Sequence, residues 1–187
     1  MKRFLVGAVA VVVTAVVAAG LGVVGAKAWR SYRFDAVRAE QTQKTLDHMG
    51  TIEIGGRLPD NDFEDLEGNR VRLSTLVREG AVLSFFRSNC GHCLDELDSL
   101  RSITRDSADF SRVILISHED RLDLKQAAAD LDIRCPILWD RDNAYAGKLR
   151  VTTQPFNVVV DSSLTIIEVL AGAMMPKDFE RLLHESE

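Results

Sequence analysis

The sequence predicts a three-layer α/β domain, a central mixed sheet with helices on both sides, preceded by one transmembrane helix. Three observations predict it. Short, nearly continuous apolar runs at residues 81–86 and 113–116 alternate with longer segments of helical periodicity, the pattern of strands buried on both faces and joined by helical crossovers. A hairpin signature precedes these runs, and a second pair, residues 156–160 and 165–170, follows across an Asp161-Ser162-Ser163 turn. The chain begins with an uncharged apolar stretch, residues 4–26, longer than the ~20 residues a bilayer-crossing helix needs.

That stretch follows Met1-Lys2-Arg3 and exceeds the ~7–15 apolar residues of a cleaved signal peptide. Its length argues for an uncleaved anchor over residues 1–28, with Ala26-Lys27-Ala28 leaving a cleaved signal peptide as the alternative. Lys2 and Arg3 lie before the run and Lys27, Arg30 and Arg33 after it, so charge does not settle its orientation. Trp29 and Tyr32 suit an interfacial aromatic belt. Residues 29–55 read as a stalk, with a polar, helix-compatible part at 34–48 broken by Gly50, Gly55 and Gly56.

The domain is expected over residues 56–187. Phe63-Glu64-Asp65, a turn at Gly68-Asn69 and Val71-Arg72-Leu73 make the hairpin. Ser74 is a natural N-cap for a short helix over residues 75–78, ended by Gly80. Residues 81–86 form a central strand, and a helix to about Arg105 follows, with Leu94, Leu97, Leu100 and Ile103 at core-facing spacing. The second buried strand at 113–116 turns through Ser117-His118-Glu119-Asp120 into a helix reaching Asp130. Cys135-Pro136 then opens a short strand, residues 140–150 give a turn and helix, and residues 177–184 close the domain with a helix behind Pro176.

Composition narrows the function. A hydrophobic share of 46% supplies a core for one domain, and a net charge of -5 with interspersed signs offers no basic stripe for nucleic acid. Three cysteines are too few for a disulfide scaffold. Two of them, in Cys90-Gly91-His92-Cys93, sit directly after the central strand and open a helix. There the free backbone N–H groups and the positive end of the macrodipole favour a thiolate on Cys90, and Cys93 lies one turn inward as the resolving thiol. The pair reads as a redox dithiol. A zinc site would need a second pair of closely spaced ligands, and Cys135, His48, His118 and His184 are scattered singly. Cys135 itself reads as a buried packing residue, and His118 and His184 as surface residues. The chain holds no nucleotide motif, so no cofactor or metal is expected and electrons must pass to or from another protein.

Taken together, Leu58-Pro59-Asp60-x-x-Phe63, Val71-x-Leu73-Ser74-x-Leu76 after the Gly68 turn, Cys90-x-x-Cys93-x-x-Glu96, and Pro155 before a strand ending in Asp161 carry a family likeness. Over residues 56–184 the chain resembles the thioredoxin-like superfamily, in particular the TlpA/ResA-like membrane-anchored thiol–disulfide oxidoreductases. The resemblance implies a thioredoxin-like fold and makes Cys90 the nucleophile, Cys93 the resolving cysteine and Glu96 the nearby acid. It also makes Pro155 a cis-proline opposite the dithiol, with the backbone at Gln154 and Pro155 seating an extended substrate. Glu96 lies one turn beyond Cys93, placed to take or return its proton; the alternative is a solvated surface carboxylate. A catalytic domain outside the cytoplasm, on the periplasmic side of the cell membrane, is implied, acting on thiols and disulfides of exported proteins with a membrane thiol-transfer protein as electron partner.

The chain differs from the family at Phe86 and Asn89, where tryptophans are common, at His92, where proline is frequent, and at Gln154, where a smaller or β-branched residue is usual. Cys-Gly-His-Cys is also the sequence of protein disulfide isomerase active sites, and a cationic His92 beside Cys90 would stabilise the reduced form and make the disulfide more oxidising. The expected potential lies above that of thioredoxin. Two rivals stand beside this reading. A peroxiredoxin-like thiol peroxidase shares the Pro-x-x-x-Phe element, but Arg87 occupies the place of the Thr or Ser that precedes a peroxidatic cysteine. A non-enzymatic metal chaperone or assembly factor would use Cys90, Cys93 and a distant histidine such as His118.

Overall fold

The computed structural model describes residues 2–104 and 111–184, with side chains described for 24, 26–29, 31–103 and 111–182. Two compact units divide the chain, Met1–Glu40 and Gln41–Glu187. Helix α1 runs Lys2–Met49. Within the first unit Trp29 and Tyr32 are exposed and their ring centroids lie 6.3 Å apart. The anchor expected over residues 1–28, and its signal-peptide alternative, fall almost wholly outside the described side chains. Among the described residues no helix is long and apolar enough to cross a membrane.

The second unit starts earlier than the domain expected from residue 56. Gly50 ends α1 at a φ of 60°, its N–H donating to the Leu46 carbonyl at 2.9 Å. Met49 and Ile52 then bury almost completely in the core, the Ala171 N–H donates to Thr42 Oγ1 at 3.1 Å, and the Gly55 N–H donates to Ile166 O at 2.8 Å. The end of the expected stalk is therefore part of the domain. Its few apolar residues are too sparse for a periodicity signal, yet Met49 and Ile52 fill core positions while Ile54 stays exposed.

Seven strands form one mixed sheet: β1 Asp62–Asp65, β2 Arg70–Arg72, β3 Ala81–Phe85, β4 Val113–Ser117, β5 Ile137–Trp139, β6 Phe156–Val160 and β7 Ile166–Ala171. Their order is β2-β1-β5-β4-β3-β6-β7. The three central strands β3, β4 and β5 are parallel; β1 and β2 pair antiparallel as a hairpin, and β6 and β7 pair antiparallel on the other flank. Every residue of β3, β4 and β6 is buried, as continuous apolar runs require of strands covered on both faces.

Alternation along β3 sends Ala81, Leu83 and Phe85 into a core shared with Met49, Phe63 and Tyr145. Val82 and Phe86 enter a second core with residues of α3 Gly91–Thr104, α4 Arg121–Asp130 and α6 Pro176–His184, among them Leu97, Leu124 and Phe179. Burial on α3 falls on Cys93, Glu96, Leu97 and Leu100, the i, i+3, i+4, i+7 face of a helix, while Leu94 is only half-buried. Gly80 enters β3 with a φ of +82°, and a Cβ there would meet the Val160 carbonyl oxygen at 2.9 Å.

Ser74 does not cap a helix. The short helix α2 spans Leu73–Leu76 with Arg72 at its N-cap and no side-chain cap bond. The Ser74 N–H and hydroxyl instead donate to Asp60 at 3.1 and 2.9 Å, and Arg72 Nε joins them at 2.8 Å. A carboxylate fourteen residues upstream in sequence thus takes the place expected of the local hydroxyl. Beyond β5, a 3-10 turn at Arg141–Asn143 leads into α5 Ala144–Lys148.

Candidate active site

The parallel strands β3, β4 and β5 end on one edge of the sheet, where connecting loops of an α/β fold are free to carry chemistry. The Phe86 N–H extends the β3 ladder to Ile116 O at 3.0 Å, and the chain then turns through Arg87-Ser88-Asn89. The Cys90 carbonyl accepts the Leu94 N–H at 3.0 Å, the first bond of α3, so Cys90 stands at the helix N-terminus. It is half-buried, and its Sγ lies 3.7 Å from the Gln154 carbonyl oxygen. The Gln154–Pro155 peptide bond is cis.

Cys93, one turn inward, is 1% exposed. Burial pushes its thiol far above the ordinary range; the Arg87 N–H, 3.5 Å from Sγ, works against this, while Cys90 and the charge on Glu96 add to the rise. A buried thiol of this kind needs a base before it can act as a nucleophile.

Glu96 is no surface carboxylate: it is 3% exposed. Oε1 accepts the Ser84 hydroxyl at 2.5 Å, and Oε2 accepts the Asn157 amide at 2.8 Å and the Met174 N–H at 2.9 Å. Such convergent donors make a buried carboxylate tolerable. Helical periodicity places Glu96 one turn beyond Cys93; Ser84 of β3, Asn157 of β6 and Met174 after β7 enclose its carboxylate.

His92 lies apart from this buried cluster. Its side chain is 82% exposed, with Nδ1 3.6 Å from Asp95 Oδ2. Cys135 is 6% exposed in the second core, as a packing residue. Among the described residues no group of three or more His, Cys, Asp or Glu is arranged to hold a metal.

Sequence reasoning missed three residues. Ser84 and Asn157 are polar interruptions of otherwise apolar strands, and that interruption is the signal that could have found them. Glu119, on the loop after β4, accepts the Ser88 N–H at 2.7 Å and the Ser88 hydroxyl at 3.0 Å, while its backbone carbonyl accepts Trp139 Nε1 at 2.9 Å. It ties the loop before Cys90 to the ends of β4 and β5.

The chain is similar to the thiol-disulfide oxidoreductase ResA of Geobacillus kaustophilus (strain HTA426), 25% identical over 144 residues that cover 76% of this chain and 80% of that protein. Its fold is similar to that of a thiol:disulfide interchange protein DsbE from Chlorobium tepidum, with a TM-score of 0.63 and 17% identity over 72% of this chain and 98% of the other. Peroxidoxin BcpB from Mycobacterium tuberculosis shares the fold at a TM-score of 0.61 and 20% identity, over 72% of this chain and 96% of the other. The class is thereby defined as a thioredoxin-superfamily thiol–disulfide oxidoreductase, a redox enzyme. The chain belongs to the AhpC/TSA family, whose model matches residues 54–169.

Proposed function

We propose that this enzyme is anchored in the cell membrane by residues 1–28 and exchanges disulfides with exported proteins outside the cytoplasm through Cys90 and Cys93. The observation that carries this reading is the asymmetry of the dithiol: Cys90 half-exposed at a helix N-terminus, and Cys93 buried one turn in, next to the buried carboxylate of Glu96.

In the reducing direction the Cys90 thiolate attacks a substrate disulfide, forming a mixed disulfide and expelling one substrate thiolate. Glu96 takes the proton of Cys93. The Cys93 thiolate then attacks Cys90 Sγ, closing the Cys90–Cys93 disulfide and releasing the second substrate sulfur, which leaves as a thiolate and is protonated. Oxidation of a substrate dithiol runs the same steps backwards. The carbonyl of Gln154, already 3.7 Å from Cys90 Sγ, supports a role for Gln154 and Pro155 in seating an extended substrate strand beside the attacked sulfur. His92 on the exposed rim meets the substrate or its solvent shell. A membrane thiol-transfer protein completes the electron path.

The test is trapping in the full chain. With Cys93→Ser, mixed disulfides on Cys90 are expected to accumulate with exported proteins and with insulin as a probe, and Cys90→Ser is expected to abolish insulin reduction. Full insulin reduction by Cys90→Ser would sink the assignment. Rapid hydrogen peroxide consumption by the wild type without disulfide exchange would replace it with the peroxidase reading.

A further inference from the structure

Ser84 on β3 and Asn157 on β6 are direct cross-strand partners, so their side chains emerge on the same face of the sheet. Both are fully buried, and both donate to Glu96, one to each carboxylate oxygen. The Asn157 amide is spanned on its donor side, with Nδ2 reaching Glu96 Oε2 at 2.8 Å and Gly172 O at 3.2 Å. Its Oδ1 is buried and has no hydrogen-bond partner among the described residues. A buried acceptor left without a donor is uncommon enough to require an explanation.

The explanation lies in the second protonation state of Glu96. As a carboxylate it needs donors, which Ser84 and Asn157 provide. As a carboxylic acid it carries an O–H and needs an acceptor instead, and among these two partners only the Ser84 oxygen serves both needs, because a hydroxyl donates and accepts. When Ser84 accepts from Glu96, its own proton must turn elsewhere, and the buried Asn157 Oδ1 on the paired strand is an acceptor without a partner among the described residues.

We propose that Ser84 and Asn157 are paired positioning residues that hold Glu96 as a carboxylate before Cys93 is deprotonated and as an acid afterwards. This rests on the role of Glu96 proposed above. The step balances. Cys93 S–H gives its proton to Glu96, the Glu96 O–H donates to Ser84 Oγ, and the Ser84 hydroxyl turns to Asn157 Oδ1. The thiolate electron pair then forms the Cys93–Cys90 bond as the substrate sulfur leaves, and the proton passes from Glu96 to the departing thiolate or to solvent.

The groups that face Glu96 are consistent with this exchange. From α3 it meets Cys93, and through it Cys90. From β3 and β6 it meets Ser84 and Asn157, which do not titrate, and from the segment after β7 the Met174 N–H. Asp178 of α6 is turned to the Met175 N–H at 2.8 Å.

The experiment mixes the reduced full chain with oxidised glutathione, quenches with acid, and follows decay of the Cys90–glutathione mixed disulfide by mass across pH. Ser84→Ala and Asn157→Leu are each expected to slow that decay about tenfold near neutral pH, the effect of one lost buried hydrogen bond to a charged group, and to move its pH midpoint. Ser84→Thr should restore both rate and midpoint, and Ser84→Ala placed on Glu96→Gln should add no further change. If Glu96→Gln moves the profile but Ser84→Ala and Asn157→Leu do not, this proposal falls and the role of Glu96 stands. If Glu96→Gln leaves the profile unmoved, the role of Glu96 falls first. Should the Ser84 and Asn157 variants fail to fold, infrared spectra of the wild type decide. The carboxylic acid band absent from Glu96→Gln must show a hydrogen-bonded carbonyl environment with a donating O–H, and a free-acid band overturns the pair.

Discussion

Cys135 shows how one buried side chain writes a pH dependence into the whole fold. Burial pushes its thiol up to about 12, so the folded chain keeps a proton that the unfolded chain gives up near pH ~8.5. The folded value is raised, so this contribution is complete below the unfolded value and is withdrawn as pH rises toward about 12. Cys135→Ala is therefore expected to flatten the fall of stability between these limits in urea titrations, at a cost of about 1 kcal/mol at neutral pH for the lost packing. An unchanged alkaline slope would place the effect elsewhere, in Cys93 or Tyr145, whose groups are also raised by burial. At this scale the candidate dithiol was legible from spacing, because two cysteines with two residues between them at a strand-to-helix junction have few other uses. The burial of Glu96 was not, since three of its contacts come from residues 12, 61 and 78 positions away.

Among the elements, the entry to the hairpin carries a polar joint that local rules misassigned. Burial acts to raise the Asp60 carboxyl, but hydrogen bonds from Ser74 and Arg72 outweigh it and hold the group below the usual carboxylate range. Because the folded value is depressed, the stabilisation is present above the unfolded value near pH ~3.9 and is lost as pH falls through the folded one. Asp60→Asn should lower the melting temperature at pH 7 by a few degrees, a loss of about 1 kcal/mol, and the difference from wild type should vanish once pH has fallen through the depressed folded value. A difference that persists in acid would assign the effect to packing. The strands and crossover helices themselves were legible, because runs of consecutive buried apolar residues admit few other readings. The N-cap was not, because Asp60 competes for Ser74 from outside the local window.

Across the whole molecule, the dithiol turn depends on three separate parts of the chain: β3 delivers it, Glu119 ties its loop, and the Gln154–Pro155 turn faces it. The potential of the proposed Cys90–Cys93 couple is a property of that assembly. Potentials of about -180 mV for protein disulfide isomerase and about -270 mV for thioredoxin bracket the expectation of an intermediate value. Equilibration of the full chain with glutathione buffers, read by the mass of alkylated thiols, should give a potential above that of thioredoxin. A potential at or below it would reverse the preferred direction of electron flow. His92 at 82% exposure has limited leverage here, since solvent screens a charge so placed.

By itself the sequence determined the alternation of strands and helices, the position of the dithiol at a helix start, and the burial of the central strands. These follow from local periodicity and from the free backbone groups at a helix end. Only the tertiary structure decided that the chain from Gln41 onward belongs to the domain, that Asp60 binds Ser74, and that Glu96 is enclosed by Ser84, Asn157 and Met174. Each of these joins residues distant in sequence, and strand order and register, which no local pattern encodes, bring them together.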